Sequence, residues 1–361
     1  MHNNLREGNL IMQKIKWGVI GAGGIADRRT IPGMLLAENA ELIAVMEITK
    51  ELADKIAKKY NVPYSYDNVD EMLANPDIDA VYIATPVTAH YEQATKSAMA
   101  HKHILIEKPV GLTVQEGVEL DALCKKQGVL FAAGLMMRYH AYHVKAKELV
   151  TAGTLGEIVS MRAQLTCWYP DMPDNWRQSL ASSGGGALMD MGVHCIDLLQ
   201  YISGSNVNRV CGMTATKTFS YEVEDSASVL MEFDNGAYGY VDANFNIPDN
   251  AAHCQLEIYG TKGSILATGT IGQVEGGSFT LTVSEDTGYD AAQDRNNNSA
   301  VNVDVTLGNM YTKEISSFSD SILTGTPVAI PAAQALQVQT IIEGAYKSSR
   351  EKCFVDVVAP V

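Results

Sequence analysis

The glycine run that follows the first apolar stretch limits the fold more than anything else in the chain. Residues 15–20, Ile-Lys-Trp-Gly-Val-Ile, are apolar and rich in β-branched side chains, as in a short buried strand. They run directly into Gly21-Ala22-Gly23-Gly24-Ile25-Ala26, and a helical stretch follows to about Leu36. In this spacing the first glycine makes a tight turn and the second lets backbone N–H groups reach a pyrophosphate. The third small residue lets the helix sit close to the strand. A phosphate is then held at the helix N-terminus, where unpaired N–H groups and the helix dipole favour negative charge.

The context gives this fingerprint its force. A second strand over 41–46 ends at Glu47, 26 residues after Gly21. A carboxylate there accepts both ribose hydroxyls of NAD and repels a 2′-phosphate. Ile48 follows, where an arginine could have paired with that phosphate, so NAD is expected over NADP. Helices are expected over 50–59 and 67–74, and a strand over 80–84 that ends in Thr85-Pro86, with His90 opening the next helix. A strand over 104–106 ends in Glu107-Lys108-Pro109, then come a helix over 113–126 and a strand over 129–133. This alternation predicts a doubly wound parallel sheet, in which ligands bind beyond the carboxyl ends of the strands. Gly21, Glu47, Thr85 and Lys108 share that address. Pro109 stops its strand and holds Lys108 beside a rigid turn. The competing reading of Lys108 is a surface cation paired with Glu107.

The alternation stops near Gly134, which predicts an α/β Rossmann domain over 12–134 and a second, α+β domain over 135–361. Arg138, Tyr139, His140, Tyr142 and His143 crowd the junction. His140 and His143 are spaced like metal ligands, but no third ligand accompanies them, and no metal is expected. A strand pattern over 157–168 leads into an irregular segment, 169–177. Trp168, Tyr169 and Trp176 there could stack on a sugar ring or serve only as packing anchors.

Next comes a helix opened by Gly184-Gly185-Gly186, with Ser182 and Ser183 as expected caps. Helical spacing puts Asp190, His194 and Asp197 on one side and Leu188, Met191, Cys195, Leu198 and Ile202 on another. A histidine one turn from a carboxylate can hold a proton in a chosen orientation, or can simply be a hydrogen-bonded core residue. Strand patterns over 207–219, 225–233, 237–247, 254–259 and 264–266 predict a large, open, mainly antiparallel sheet with helices on one face. Its other face, with Tyr238, Tyr240, Asp242 and Asn244, is expected to meet a second subunit in a homo-oligomer. Residues 270–307 read as a hairpin with a long exposed loop that includes 294–299. Helices over 310–323 and 331–349 and a strand over 353–357 close the chain.

Charge and composition remove other classes. A formal charge of −15, from 27 basic and 42 acidic residues, excludes a phosphate-backbone partner, because nucleic-acid binders present basic stripes. Six scattered cysteines without a Cys-x-x-Cys pair fit a reducing cytoplasm. No apolar run approaches the roughly 20 residues that span a bilayer, so no membrane association is expected. The first residues lack the apolar core of a signal peptide, and Met12 stands as an alternative start to Met1.

Together these motifs resemble the glucose–fructose oxidoreductase, inositol dehydrogenase and rhizopine-catabolism (Gfo/Idh/MocA) family, nearly end to end over 14–357. The resemblance is carried by Gly21 to Ala26, Ala84-Thr85-Pro86 with His90, Glu107-Lys108-Pro109, Asn175-Trp176-Arg177, Gly184 to His194, and Ile258-Tyr259-Gly260-Thr261-Lys262-Gly263. It implies that Lys108, Asp190 and His194 are the catalytic residues. It implies cofactor contacts from Gly21, Gly23, Gly24, Ile25, Glu47, Ile48, Thr85, Pro86, His90, Glu107, Lys108, Trp176 and Arg177. The substrate would meet Lys108, Arg138, Tyr139, Trp168, Asp190 and His194. Glu47 departs from the family's commoner aspartate. The implied reaction is NAD-dependent oxidation of a secondary ring hydroxyl of a sugar, of a glycoside (at C3, for example) or of a cyclitol. His194 or Lys108 would take the proton. An NADPH-dependent reductase of a sugar-derived ketone and a catalytically silent NAD-binding sensor are the alternatives.

Overall fold

The computed structural model describes residues 13–284, 288–289, 291 and 300–360. The alternative start at Met12 and the loop over 294–299 lie outside the described residues. The first layer is a parallel six-stranded sheet. Its strands are β1 (Ile15–Ile20), β2 (Ala40–Met46), β3 (Tyr64–Tyr66), β4 (Ala80–Ile83), β5 (His103–Glu107) and β6 (Phe131–Gly134), in the order β3-β2-β1-β4-β5-β6. Central β1 pairs with β2 on one side and β4 on the other, so the winding reverses there and opens a crevice beyond its carboxyl end. β3 escapes a sequence reading because three half-exposed residues carry no periodicity.

The second sheet has nine strands: β7 (Ile158–Thr166), β8 (Val207–Ala215), β9 (Ser226–Phe233), β10 (Tyr238–Asn244), β11 (Gln255–Gly260), β12 (Gly263–Thr268), β13 (Ser278–Val283), β14 (Val301–Asn302) and β15 (Val355–Asp356). Their order is β14-β13-β12-β11-β7-β10-β9-β8-β15, antiparallel except where β10 runs parallel to β7. β13 and β14 form the expected hairpin.

No strand of the first sheet follows Gly134 and none of the second precedes Ile158 among the described residues. The helices do not respect that division at 134/135. Helix Met310–Thr324 returns to the first layer, where Ile315 and Phe318 join a core with Trp17, Ile31 and Met34. Trp17 donates through Nε1 to Ser319 Oγ at 3.1 Å and lies 5.6 Å from the Phe318 ring. Helix Ala332–Glu351 is wedged between helix Val114–Gln127 and β8. Gly212 must lack a Cβ for it to sit there, since one would lie 2.4 Å from Ala345 O, and a Cβ on Gly117 would push against Leu336 Cδ2 at 2.0 Å. Truncating Phe318 to alanine is therefore expected to destabilise the first layer by about 3–5 kcal/mol. Urea unfolding would check this, and a loss below about 1 kcal/mol would show that the returning helix is not part of that core.

Candidate active site

The glycine loop folds as its spacing requires. Gly21 has φ +79° and lies so close to the end of β4 that a Cβ would meet Thr85 N at 2.8 Å. Gly24, at φ +54°, faces open space. The Gly21 and Ala22 N–H groups donate to Met46 O, and the Gly23 N–H donates to Glu47 Oε1 at 2.5 Å. Beyond them the chain winds into a wide π-helical turn, Ala26–Thr30, and then helix Ile31–Leu35. Asp27 is the first residue here to find a helical carbonyl, that of Gly23. The N–H groups of Gly24 and Ile25 precede it at a helix entrance suited to a pyrophosphate. Glu47 thus reaches the loop itself, and Ile48 beside it is 81% exposed. Together, the opening at Gly24 and the carboxylate at the loop fit a dinucleotide.

Loops beyond β4 and β5 are tied together by a histidine. His90 is buried, with Nδ1 2.9 Å from Pro109 O and Nε2 3.0 Å from Thr85 O. Burial brings its pKa down to about 4 despite these two acceptors. His90 therefore ties together the loops that follow β4 and β5, with both ring nitrogens engaged. Glu107 likewise turns inward and accepts from the Tyr82 hydroxyl, which also accepts from Thr30 Oγ1 at 3.0 Å. Burial raises the Glu107 carboxyl above its usual range.

Lys108 leaves Glu107 for a partner 82 residues away. Its Nζ donates to Asp190 Oδ1 at 2.9 Å and to the Asp190 carbonyl at 2.7 Å. The Lys108–Pro109 bond is cis. Burial alone would raise the Asp190 carboxyl, but Lys108, Arg177 and His194 bring it down to about 2. His194, one turn along, is buried, and its Nδ1 has no hydrogen-bond partner. Burial, reinforced by the charge of Lys108, lowers its imidazole to about 3, so the ring is neutral at ordinary pH. Arg177 also acts on Glu107, which brings the 175–177 segment to this cluster, and its guanidinium stacks 4.4 Å from the Trp176 ring. A cavity of about 780 Å³ beside that segment is lined by Asp171, Asn175, Trp176, Tyr221 and Glu222, but by none of Lys108, Asp190 and His194.

Other expected contacts are not brought here. Arg138 is buried against Asp197, donating through Nε at 2.9 and 3.0 Å, and it also donates to Gln334 Oε1 at 2.5 Å. Asp197 is therefore engaged with Arg138, because a buried carboxylate needs a counter-charge and Arg138 supplies it. Tyr139 lies beside Glu314, Ser317 and Phe318, under the returning helix. His140 and His143 are spent on Gly276 O, Met137 O and Thr270 Oγ1. Trp168 is 44% exposed and packs edge-on against Phe219.

The caps differ as well. Leu180–Ser183 form their own short helix, ended by Gly184 at φ +74°, so Ser182 and Ser183 do not cap the helix that carries His194. That helix, Val193–Ser203, is entered through a π-helical turn, Leu188–Gly192. Its entrance is held by Glu224, which local sequence signals do not reveal because its partners lie 36 and 38 residues away.

Comparison with known proteins identifies the family. Residues 15–135 match the family described as "Oxidoreductase family, NAD-binding Rossmann fold", and residues 143–266 match "GFO/IDH/MocA C-terminal domain". The chain is 30% identical to Oxidoreductase P35 of Formosa agariphila over 257 residues, covering 70% of this chain and 78% of that one. It is 27% identical to 1,5-anhydro-D-fructose reductase of Ensifer adhaerens over 271 residues, 75% of this chain and 80% of that one. Levoglucosan dehydrogenase, solved with NADH and levoglucosan, superposes with a TM-score of 0.85 at 25% identity, over 96% of this chain and 100% of the other.

The buried imidazoles carry a measurable consequence. His143 and His194 are both held near 3 by burial, far below the 6.5 of an exposed ring. As pH falls from 6.5, the unfolded rings take up protons that the folded ones refuse, so each site lowers stability progressively toward acid. Histidine-selective ¹⁵N spectra at pH 5 are expected to show both rings neutral; a His194 signal that titrates near 6.5 would contradict this assignment.

Proposed function

Because the chain belongs to the Gfo/Idh/MocA family of oxidoreductases, we propose that it is an NAD-dependent dehydrogenase. Its substrate would be a secondary ring hydroxyl of a sugar, of a glycoside or of a cyclitol. The observation that carries the reading is the Lys108–Asp190 contact, which puts an ammonium, a carboxylate and a neutral imidazole from two distant segments at one strand end.

Bound there, NAD would supply hydride acceptance at its nicotinamide ring. The glycine loop would hold the pyrophosphate through Gly23, Gly24 and Ile25, and Glu47 would exchange the Gly23 N–H for ribose hydroxyls. Ile48 brings no charge to the ribose, and nearby Lys50 is already held by Asp54 at 2.7 Å and by Ser65. These features support NAD over NADP. Thr85, Pro86 and Lys108 would border the nicotinamide, and Trp176 and Arg177 would close over it.

His194 is the proposed base. A neutral imidazole beside Lys108 and Asp190 can accept the proton of a substrate hydroxyl. Lys108 would stabilise the negative charge that develops on that oxygen. Asp190 would hold Lys108 in place and accept a neighbouring substrate hydroxyl. Trp168 would offer an apolar surface at the cleft margin.

The open sheet supports assembly. Val159, Met213, Leu230, Tyr238, Tyr259 and Leu266, from six of its strands, are all 40% or more exposed, and they are interspersed with the ion pairs of Arg162 with Asp242 and Glu257, a mixed surface that a second copy would cover. Light scattering is expected to give a mass that is a multiple of 39.0 kDa, and a monomer mass would refute the assembly.

For the chemistry, a sugar, glycoside and cyclitol library incubated with NAD should yield a product lighter by two hydrogens, seen by mass spectrometry. His194→Ala should lower turnover by on the order of 10²–10⁴-fold with NAD affinity largely retained. Unaltered turnover would remove His194 from the mechanism. A strong NADP preference would overturn the assignment of Glu47, and tight NAD binding without turnover on any library member would favour a sensor.

A further inference from the structure

We propose that Glu224 is a positioning residue that sets the height of the Asp190–His194 helix and thereby seats Asp190 on Lys108. The proposal rests on the catalytic reading of those residues given above. The entrance of a helix leaves its first N–H groups without internal partners. Here neither the π-helical turn nor the helix behind it has a side-chain cap of its own. Glu224, just ahead of β9, meets three successive N–H groups instead. Its Oε2 accepts from Gly186 at 2.9 Å, its Oε1 accepts from Leu188 at 2.9 Å, and its carbonyl oxygen accepts from Ala187 at 3.0 Å.

A fourth contact fixes the carboxylate from outside. The Tyr346 hydroxyl, on helix Ala332–Glu351, donates to Oε1 at 2.8 Å. Two of the glycines that open the segment follow from this clamp. A Cβ on Gly186 would lie 2.0 Å from the Glu224 carbonyl oxygen, and one on Gly185 would lie 2.1 Å from Tyr346 Oη. The clamp reaches the reacting groups in two steps. The Asp190 N–H donates to Gly186 O at 2.9 Å, and Asp190 in turn holds Lys108 Nζ by its carbonyl and its carboxylate. Shifting Gly186 therefore shifts both acceptors of the lysine. The negative charge also suits the positive end of the helix.

The test reads the lysine directly. Lys108 is labelled with acetic anhydride and its peptide is quantified by mass spectrometry in the wild type, Glu224→Gln, Glu224→Ala and Asp190→Asn. Lys102, bonded to Asn75 O and Ile78 O elsewhere in the fold, is the internal control for general loosening. Expected is a several-fold rise at Lys108 in Glu224→Ala, a smaller one in Glu224→Gln, no change at Lys102, and reversal in Glu224→Ala by added formate. Unchanged Lys108 labelling in both Glu224 variants overturns the proposal, as does a parallel rise at Lys102 that formate does not reverse. Should Glu224→Ala not fold, Glu224→Gln and Tyr346→Phe decide by the same labelling.

With NAD and either methyl glucoside or myo-inositol, whichever the wild type oxidises, kcat of Glu224→Ala should fall on the order of 10- to 100-fold, as for a misplacement of about 1 Å. Its NAD affinity should hold and formate should restore the rate. Raised labelling with wild-type kcat would leave Glu224 as the clamp and refute the catalytic reading of Asp190, so the two failures are separable.

Discussion

The contact of one ammonium with one aspartate joins the two layers of this protein into a site. Lys108 stands at the end of β5, and Asp190 stands at the head of a helix belonging to the second layer. An ammonium with a 13% exposed side chain is costly unless its donors are met, and Asp190 meets two of them. Much of the surrounding structure serves to hold these ends still. His90 ties the Thr85 and Pro109 carbonyls behind Lys108, and Glu224 with Tyr346 holds the turn below Asp190. The supports of this contact come from segments far apart in the chain, which hold both of its ends in place.

The electrostatics divide the labour within the cluster. Asp190 is held ionised by the cations Lys108 and Arg177, whereas His194 is held neutral by burial and by the same lysine. One cation thus pushes two neighbours into complementary states, a carboxylate that stays charged and an imidazole that stays neutral. Arg138 and Asp197 illustrate the opposite case: a charge pair of similar composition that neutralises itself inside the core.

Much of the first layer was legible in the chain because local rules decide it. Strands ending at Gly21, Glu47, Thr85 and Lys108 can be read from apolar runs and breakers, and a parallel sheet then forces those ends to one edge. The Asp190–His194 spacing was legible for the same reason, since one helical turn brings them together. Asp197 shows the limit. Its spacing predicts a place beside His194, but the distant Arg138 takes it, and no periodicity encodes a partner 59 residues away. The caps Ser182 and Ser183 fail as predictions for a similar reason, because Glu224 reaches the helix entrance from far along the chain.

The sequence by itself determined the order of most strands and helices, the glycine turn, the acid at the end of β2 and the identity of Lys108, Asp190 and His194 as chemically capable groups. Those properties follow from side-chain size, charge and spacing within a few residues. Only the tertiary structure decided that Lys108 turns to Asp190 and not to its neighbour Glu107, that His194 loses its water and stays neutral, and that Glu224 caps a helix it does not belong to. Pairing and desolvation depend on which surfaces meet when two layers close, and that is settled by packing between residues far apart in the chain.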